Sequence, residues 1–305
     1  MSMVSKTLFH YFINSLNHCI HLLRKIDIIF LIYLVISTVL LIFTRDSYVQ
    51  LSSFIWIRLS IVLSVMALIY ADQKSGKPIF QLLRLSYPLI LSGYFYAETV
   101  FYNKLFFKNL DPFLVDIEAA IFGMQPSVEF SAYFANKLFS ELMYFAYFFF
   151  YILILGFTLY MFIKKRNYFN KVTFQLIFSS YIFYLIFCFI PSAGPQFYFT
   201  YPESELPQAF FFDHIMHFIQ RVAEQPTGAF PSSHVGISLI ILMLSKKTVP
   251  EFYRVVWPFV LLLILSTVYI KAHYAIDIIG GLIIAPFILY LSDFLYQLPA
   301  WKNVE

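Results

Sequence analysis

The sequence predicts an all-α protein, a polytopic membrane bundle of about eight transmembrane helices. Three observations carry that prediction. Of 305 residues, 60% are hydrophobic and 12% are charged, where an ordinary soluble domain carries roughly 25% charged residues. Phe and Tyr number 38 and 23, more apolar surface than a soluble fold of this length could hide. The apolar residues also gather in runs near the ~20 residues that one helix needs to cross a bilayer.

Those runs lie at 26–44, 54–71, 80–102, 142–163, 172–190, 230–246, 253–271 and 273–296. Residues 8–23 are expected to form an amphipathic helix lying on the membrane. The first 79 residues hold that helix and two extra spans; residues 80–300 hold a six-helix core. No cleavable leader is expected, because no small-residue cleavage site follows Lys6, Arg24 and Lys25. Cys19 and Cys188 are the only cysteines, which excludes a disulfide framework and a Cys/His zinc motif.

Lys and Arg decide the orientation. With the N-terminus in the cytoplasm, 1–25, 72–84, 164–171, 246–254 and 297–305 are cytoplasmic and carry 14 of them; 45–53, 103–141 and 191–229 carry 5. Both termini are therefore expected inside, in a membrane of the bacterial inner type. The outer loops are acidic, with Glu203, Glu205, Asp213 and Glu224 set against Arg221. Spans six and seven form a hairpin. The start of the sixth and the end of the seventh consequently share the face poor in Lys and Arg.

Two motifs reach that face. The first runs Gly228-Ala229-Phe230-Pro231-Ser232-Ser233-His234. Pro suits the first helical turn, and a helix start with free N–H groups and two hydroxyls, Ser232 and Ser233, is a phosphate cradle. His234 beside it could donate a proton. The second runs His273-Tyr274-Ala275-Ile276-Asp277. On a helix, i and i+4 share a face, so Asp277 could orient His273 and leave its other nitrogen nucleophilic. Singly, each motif fits a capped helix or a polar pair at the membrane interface equally well. Together they favour phosphoryl transfer without a metal. A zinc site on His273 and Asp277 would need a further ligand such as His214 or His217. Lys271 and Arg221 are the candidates to hold phosphate oxygens, or they snorkel to headgroups.

These motifs resemble the type 2 phosphatidic acid phosphatase superfamily. Its second motif reads Pro-Ser-Gly-His, matched by Pro231 to His234 with Ser233 in the Gly place. Its third reads Ser-Arg, five residues, His, three residues, Asp, matched by Ser266, His273 and Asp277 with Thr267 in the Arg place. The first motif, Lys, six residues, Arg-Pro, is absent. The departures resemble the inositol phosphorylceramide synthase branch, as do Asp116 to Pro126, Tyr144 with Tyr147, Pro191 to Pro195 and Lys271 to Tyr274 followed by Asp277 and Gly281. The resemblance covers about 100–300. It implies that His273 takes the phosphoryl group, Asp277 orients it and His234 protonates the departing alcohol. It also implies membrane lipid substrates and no nucleic acid. Gln196 stands where relatives often carry Arg.

Other readings stay open. Water as acceptor makes a lipid phosphatase of phosphatidic acid or a polyprenyl diphosphate; a lipid hydroxyl makes a headgroup transferase. A lipid transporter could use the same polar face, and a catalytically inert scaffold is a third possibility. Arg58 and Glu98, inside spans two and three, either pair or line a cavity. Gly280-Gly281 is read as a close-packing site. Asp111, Asp116 and Glu118 are placed on a short helix covering the site, and Pro191 to Pro195 on a rigid turn at its entrance.

Overall fold

A computed structural model describes residues 22–44, 51–201 and 206–299. Residues 8–21 of the expected surface helix, Cys19 among them, lie outside them, as do Glu203 and Glu205. Among the described residues there are twelve α-helices and no strand. We number them α1 (Lys25–Phe43), α2 (Leu51–Ser75), α3 (Pro78–Glu98), α4 (Asp111–Phe122), α5 (Pro126–Tyr133), α6 (Lys137–Lys164), α7 (Arg166–Phe189), α8 (Pro195–Tyr198), α9 (Phe212–Ala223), α10 (Ser233–Thr248), α11 (Pro250–Tyr269) and α12 (Ala275–Tyr296).

Eight of these fall on the eight apolar runs. By length and composition α1, α2, α6, α7, α11 and α12 can each cross a membrane. The other two fall short: α3 is less apolar along its length, with Gln81, Arg84 and Pro88 in it, and α10 has only 16 residues. The chain is thus a polytopic helical bundle.

The bundle is organised on α7, whose residues are buried on nearly every side and which touches α1, α3, α6, α10 and α12. Its Phe183 and Phe187 are fully buried in the apolar core with Phe157 of α6, Ile240 of α10 and Leu263 of α11. Local sequence fixes several helix starts. Asn136 accepts hydrogen bonds from the amides of Leu138 and Phe139 at 2.9 and 3.2 Å to open α6, satisfying donors that have no partner within the helix.

The first three helices are stitched by ions. Arg84 of α3 reaches Asp27 of α1 at 2.9 Å and Asp72 of α2 at 3.1 Å, and Arg24 reaches Asp72 at 3.0 Å. At the other end of α2 and α3, Arg58 pairs with Glu98 at 2.7 Å and donates to Ser37 and Thr38 of α1. The open question about these two residues is answered: they pair. Beyond Glu98, α3 leads into a short 3-10 turn where the Thr99 and Thr227 hydroxyls lie 2.9 Å apart and the Tyr96 hydroxyl donates to the Thr227 carbonyl. The early helices thereby grip the loop that leads into α10.

Candidate active site

The two histidines come together at the end of the bundle where α10 and α12 begin. His273 Nε2 lies 3.3 Å from His234 Nδ1, with the ring planes at 65°. His273 Nδ1 faces two acceptors, the Ala229 carbonyl at 3.0 Å and Asp277 Oδ2 at 3.3 Å. Two acceptors at one ring nitrogen require it to carry the proton. The lone pair is then on Nε2, pointed at His234. The nitrogens are in direct hydrogen-bond contact, closer than the phosphate-wide gap that phosphoryl transfer requires between them.

The local geometry differs from the sequence expectation in two respects. His273 is not on a helix; it stands in the turn ahead of α12, and Asp277 occupies the third helical position. They meet because Asp277 caps its own helix: Oδ2 accepts the Tyr274 amide at 2.8 Å and stays within reach of His273. Pro231 is not in the first turn of α10 either. Ser232 is the cap, its hydroxyl accepting the Val235 amide at 3.3 Å, and its own amide donates to the Asp277 carbonyl at 3.0 Å. That backbone bond splices the two motifs together. It needs Gly281, where a Cβ would meet the Ser232 carbonyl at 2.7 Å, and so Gly280-Gly281 does serve close packing.

His234 lies between two rings of α6, with Tyr147 at 4.9 Å and Phe150 at 4.4 Å between centroids. Ser232 and Ser233 are both buried beside it. Around this centre a frame of bonds runs through α4. Asp111, fully buried, accepts the amides of Ala193 and Gly194 at 2.7 and 2.9 Å and the Tyr274 hydroxyl at 3.0 Å. Gly194 is at φ 90°, and its Cβ would press on the Ala272 carbonyl, so this turn needs glycine. From there Ser192 receives the Phe230 amide on its hydroxyl at 2.7 Å. Glu118 accepts the Ala275 and Ile276 amides at the start of α12. Burial pushes the Glu118 carboxyl up to about 7, against the downward pull of those two amides. Asp116, by contrast, is exposed.

The phosphate-holding candidates sit unevenly. Lys271 is buried at φ 65° with its ammonium on the Ser127 and Val128 carbonyls, both at 3.2 Å, and over the Tyr201 ring. Arg221 is exposed on α9 and donates to the His217 carbonyl one turn back. His217 bonds to the Tyr144 hydroxyl at 3.2 Å, and His214 faces outward. Among the described residues no cluster of three metal-ligating side chains occurs. Thr267, in the place of the family Arg, bonds its own helix through Oγ1, while its carbonyl receives the His273 amide at 2.9 Å.

Sequence reasoning missed one neighbour. Glu224, buried at the end of α9, accepts from the Tyr147 hydroxyl at 3.1 Å and the Gln196 amide at 2.5 Å. Burial raises its pKa, while those two donors and the nearby His273 act downward. The visible signal was its place among the acidic residues of the loop that feeds α10.

The profile of the PAP2 superfamily matches residues 113–291, more than half of the chain, from α4 through most of α12. A PA-phosphatase related-family protein of Dictyostelium discoideum is 31% identical over 86 residues, 28% of this chain and 15% of that protein. The chain thus aligns with only a small part of that relative's length. No solved structure matches.

Proposed function

We propose, for a chain that belongs to the PAP2 superfamily, that it is a membrane phosphotransferase working on lipid phosphate esters through a phosphohistidine. The observation that carries this reading is the pair of acceptors, the Ala229 carbonyl and Asp277, at His273 Nδ1; they place the ring proton there and leave Nε2 aimed at His234. In the first half-reaction Nε2 attacks phosphorus, the bond to the leaving alcohol breaks, and His234 gives that oxygen a proton. His234 exchanges its hydrogen bond to His273 for one to the leaving oxygen as the phosphoryl group enters. In the second, an acceptor hydroxyl gives its proton to His234 and attacks phosphorus, freeing His273. Ser232, Ser233 and Lys271 are the groups assigned to the phosphate oxygens; Arg221, exposed on α9 and bonded to its own helix, is left out of that set. Charge stabilisation of this kind is the main protein contribution to phosphoryl transfer.

The acceptor we favour is a lipid hydroxyl, making the chain an inositol phosphorylceramide synthase-like headgroup transferase. The support is the pattern of departures in the motifs, Ser233 and Thr267 above all. The histidine end lies away from the lysine-rich turns at 164–171 and 246–254, which supports a site on the non-cytoplasmic face with both termini inside. The helices α1 to α3 precede the family match; α1 and α2 are the added pair, and α3 completes the six-helix core.

The test is purified protein in vesicles containing phosphatidylinositol and ceramide. A phosphoinositol-ceramide product together with diacylglycerol is expected. His273→Ala should abolish it, along with acid-labile phosphate on the protein. Phosphate release from phosphatidic acid with no transfer would replace this reading by a phosphatase, the activity that the Dictyostelium relative's name carries. Lipid movement that survives His273→Ala would mark a transporter.

A further inference from the structure

Beside the two histidines runs a polar chain that the two-step scheme does not use. Gln220 donates its amide to Gln196 Oε1 at 3.1 Å. That bond fixes the Gln196 amide so that its nitrogen faces Glu224 Oε2 at 2.5 Å. Tyr147 donates its hydroxyl to Glu224 Oε1 at 3.1 Å, and the same Tyr147 ring lies against His234. Glu224 is only 8% exposed. Both of its oxygens therefore receive hydrogen bonds from neutral donors, an arrangement suited to the carboxylate anion. One aromatic side chain separates that carboxylate from His234. No arginine or lysine is bonded to it among the described residues.

A carboxylate in this place is unexpected if the site must hold a highly charged phosphate. A phosphomonoester carries about −1.5 to −2 near neutral pH, whereas a phosphodiester carries a single charge. Repulsion between like charges scales with their product and is weakly screened where water is excluded.

We propose that Glu224 sets the charge preference of the site: its carboxylate lets the histidine pair take a singly charged phosphodiester and turns away a doubly charged phosphomonoester. Glu224 is a specificity-determining residue, with Tyr147 and Gln196 as the residues that position it. The assignment rests on the phosphohistidine reading above and deepens it, because a diester donor is what separates headgroup transfer from phosphate release.

Two variants remove the charge by different means. Glu224→Gln keeps the shape, and Gln196→Arg leaves Glu224 in place but neutralises it. Purified in detergent with phosphatidic acid and phosphatidylinositol as rival substrates, each variant should raise the monoester-to-diester ratio of kcat/KM by about tenfold. Orthovanadate in mildly alkaline buffer, where its dianion predominates, should stabilise each folded variant against heat at about tenfold lower concentration than the wild type. Ratios and vanadate midpoints equal to wild type in either folded variant would overturn the assignment. The vanadate measurement needs no turnover, which keeps the two readings apart. Wild-type protein that hydrolyses phosphatidylinositol but never transfers, with the vanadate shift present, would sink the transferase and leave the role of Glu224 standing. Transfer without any shift would do the reverse.

Discussion

The molecule buries two clusters of charged and polar side chains, and they are built on opposite plans. Among α1, α2 and α3, each carboxylate faces a guanidinium: Asp27 and Asp72 share Arg84, Asp72 also holds Arg24, and Glu98 holds Arg58. At the histidine end, Asp277, Glu118 and Glu224 are equally buried, yet among the described residues none is bonded to an arginine. Their partners are backbone amides, a tyrosine hydroxyl, a glutamine and an imidazole. Charge met by charge fixes helices against one another. Carboxylates met by neutral donors keep their field available to whatever enters, and the cost of burying them marks a site where chemistry is expected. The first cluster ties α1, α2 and α3 together; the second surrounds the histidines to which the proposed chemistry is assigned.

The contrast can be broken most decisively at Asp277. Asp277→Asn preserves volume but replaces the carboxylate that helps keep the proton on His273 Nδ1. A fall in kcat of roughly a thousandfold or more is expected, with the folded protein retained in gel filtration. Activity within tenfold of wild type would show that the Ala229 carbonyl alone orients the ring.

In the architectural cluster the effect should appear in stability instead. Arg84→Met leaves Asp27 and Asp72 buried with less compensation and should cost about 3–5 kcal/mol, read as a lowered thermal midpoint, while kcat per folded molecule stays near wild type. Pairing it with Asp27→Leu should recover much of the loss, because the uncompensated charge goes too.

Glu118 should show its burial in the pH dependence of stability. Its folded pKa is raised to about 7 by burial, above the ordinary 4.5, so the folded state binds the proton more tightly than the unfolded one. Stability should therefore fall as pH rises from 4.5 through 7 and level off above, this being the sign for a raised acid. Glu118→Gln should flatten that part of the profile of thermal midpoint against pH; a slope identical to wild type would remove Glu118 as its source. The smallest effect is expected at Arg221, exposed on α9 and bonded to its own helix. Arg221→Ala should change kcat/KM by less than about threefold, in line with exposed charges elsewhere, and a larger loss would return it to the phosphate site.

Much of this was legible along the chain. Composition and run length identified a helical membrane bundle, and α1 to α3, α6, α7 and α10 to α12 lie on the apolar runs. Pro231 to His234 and His273 to Asp277 were recognisable because their chemistry is local: a helix start, two hydroxyls, an imidazole and a carboxylate within a few residues. Glu224 and Gln196 were not recognisable as partners. They stand 28 residues apart, and no periodicity links a residue just past α9 to one on the short helix α8.

Composition and short-range spacing were enough to place this chain in lipid, to make it helical, and to show which residue types could carry phosphorus chemistry. Folding alone set which nitrogen of His273 lacks the proton, that Asp277 works from a helix cap rather than a helix face, and that a carboxylate stands near the pair. Those facts depend on backbone groups of Ala229, Ser232 and Thr267 and on side chains from α6 and α9 converging in space, and close packing of distant segments leaves no mark on the order of residues.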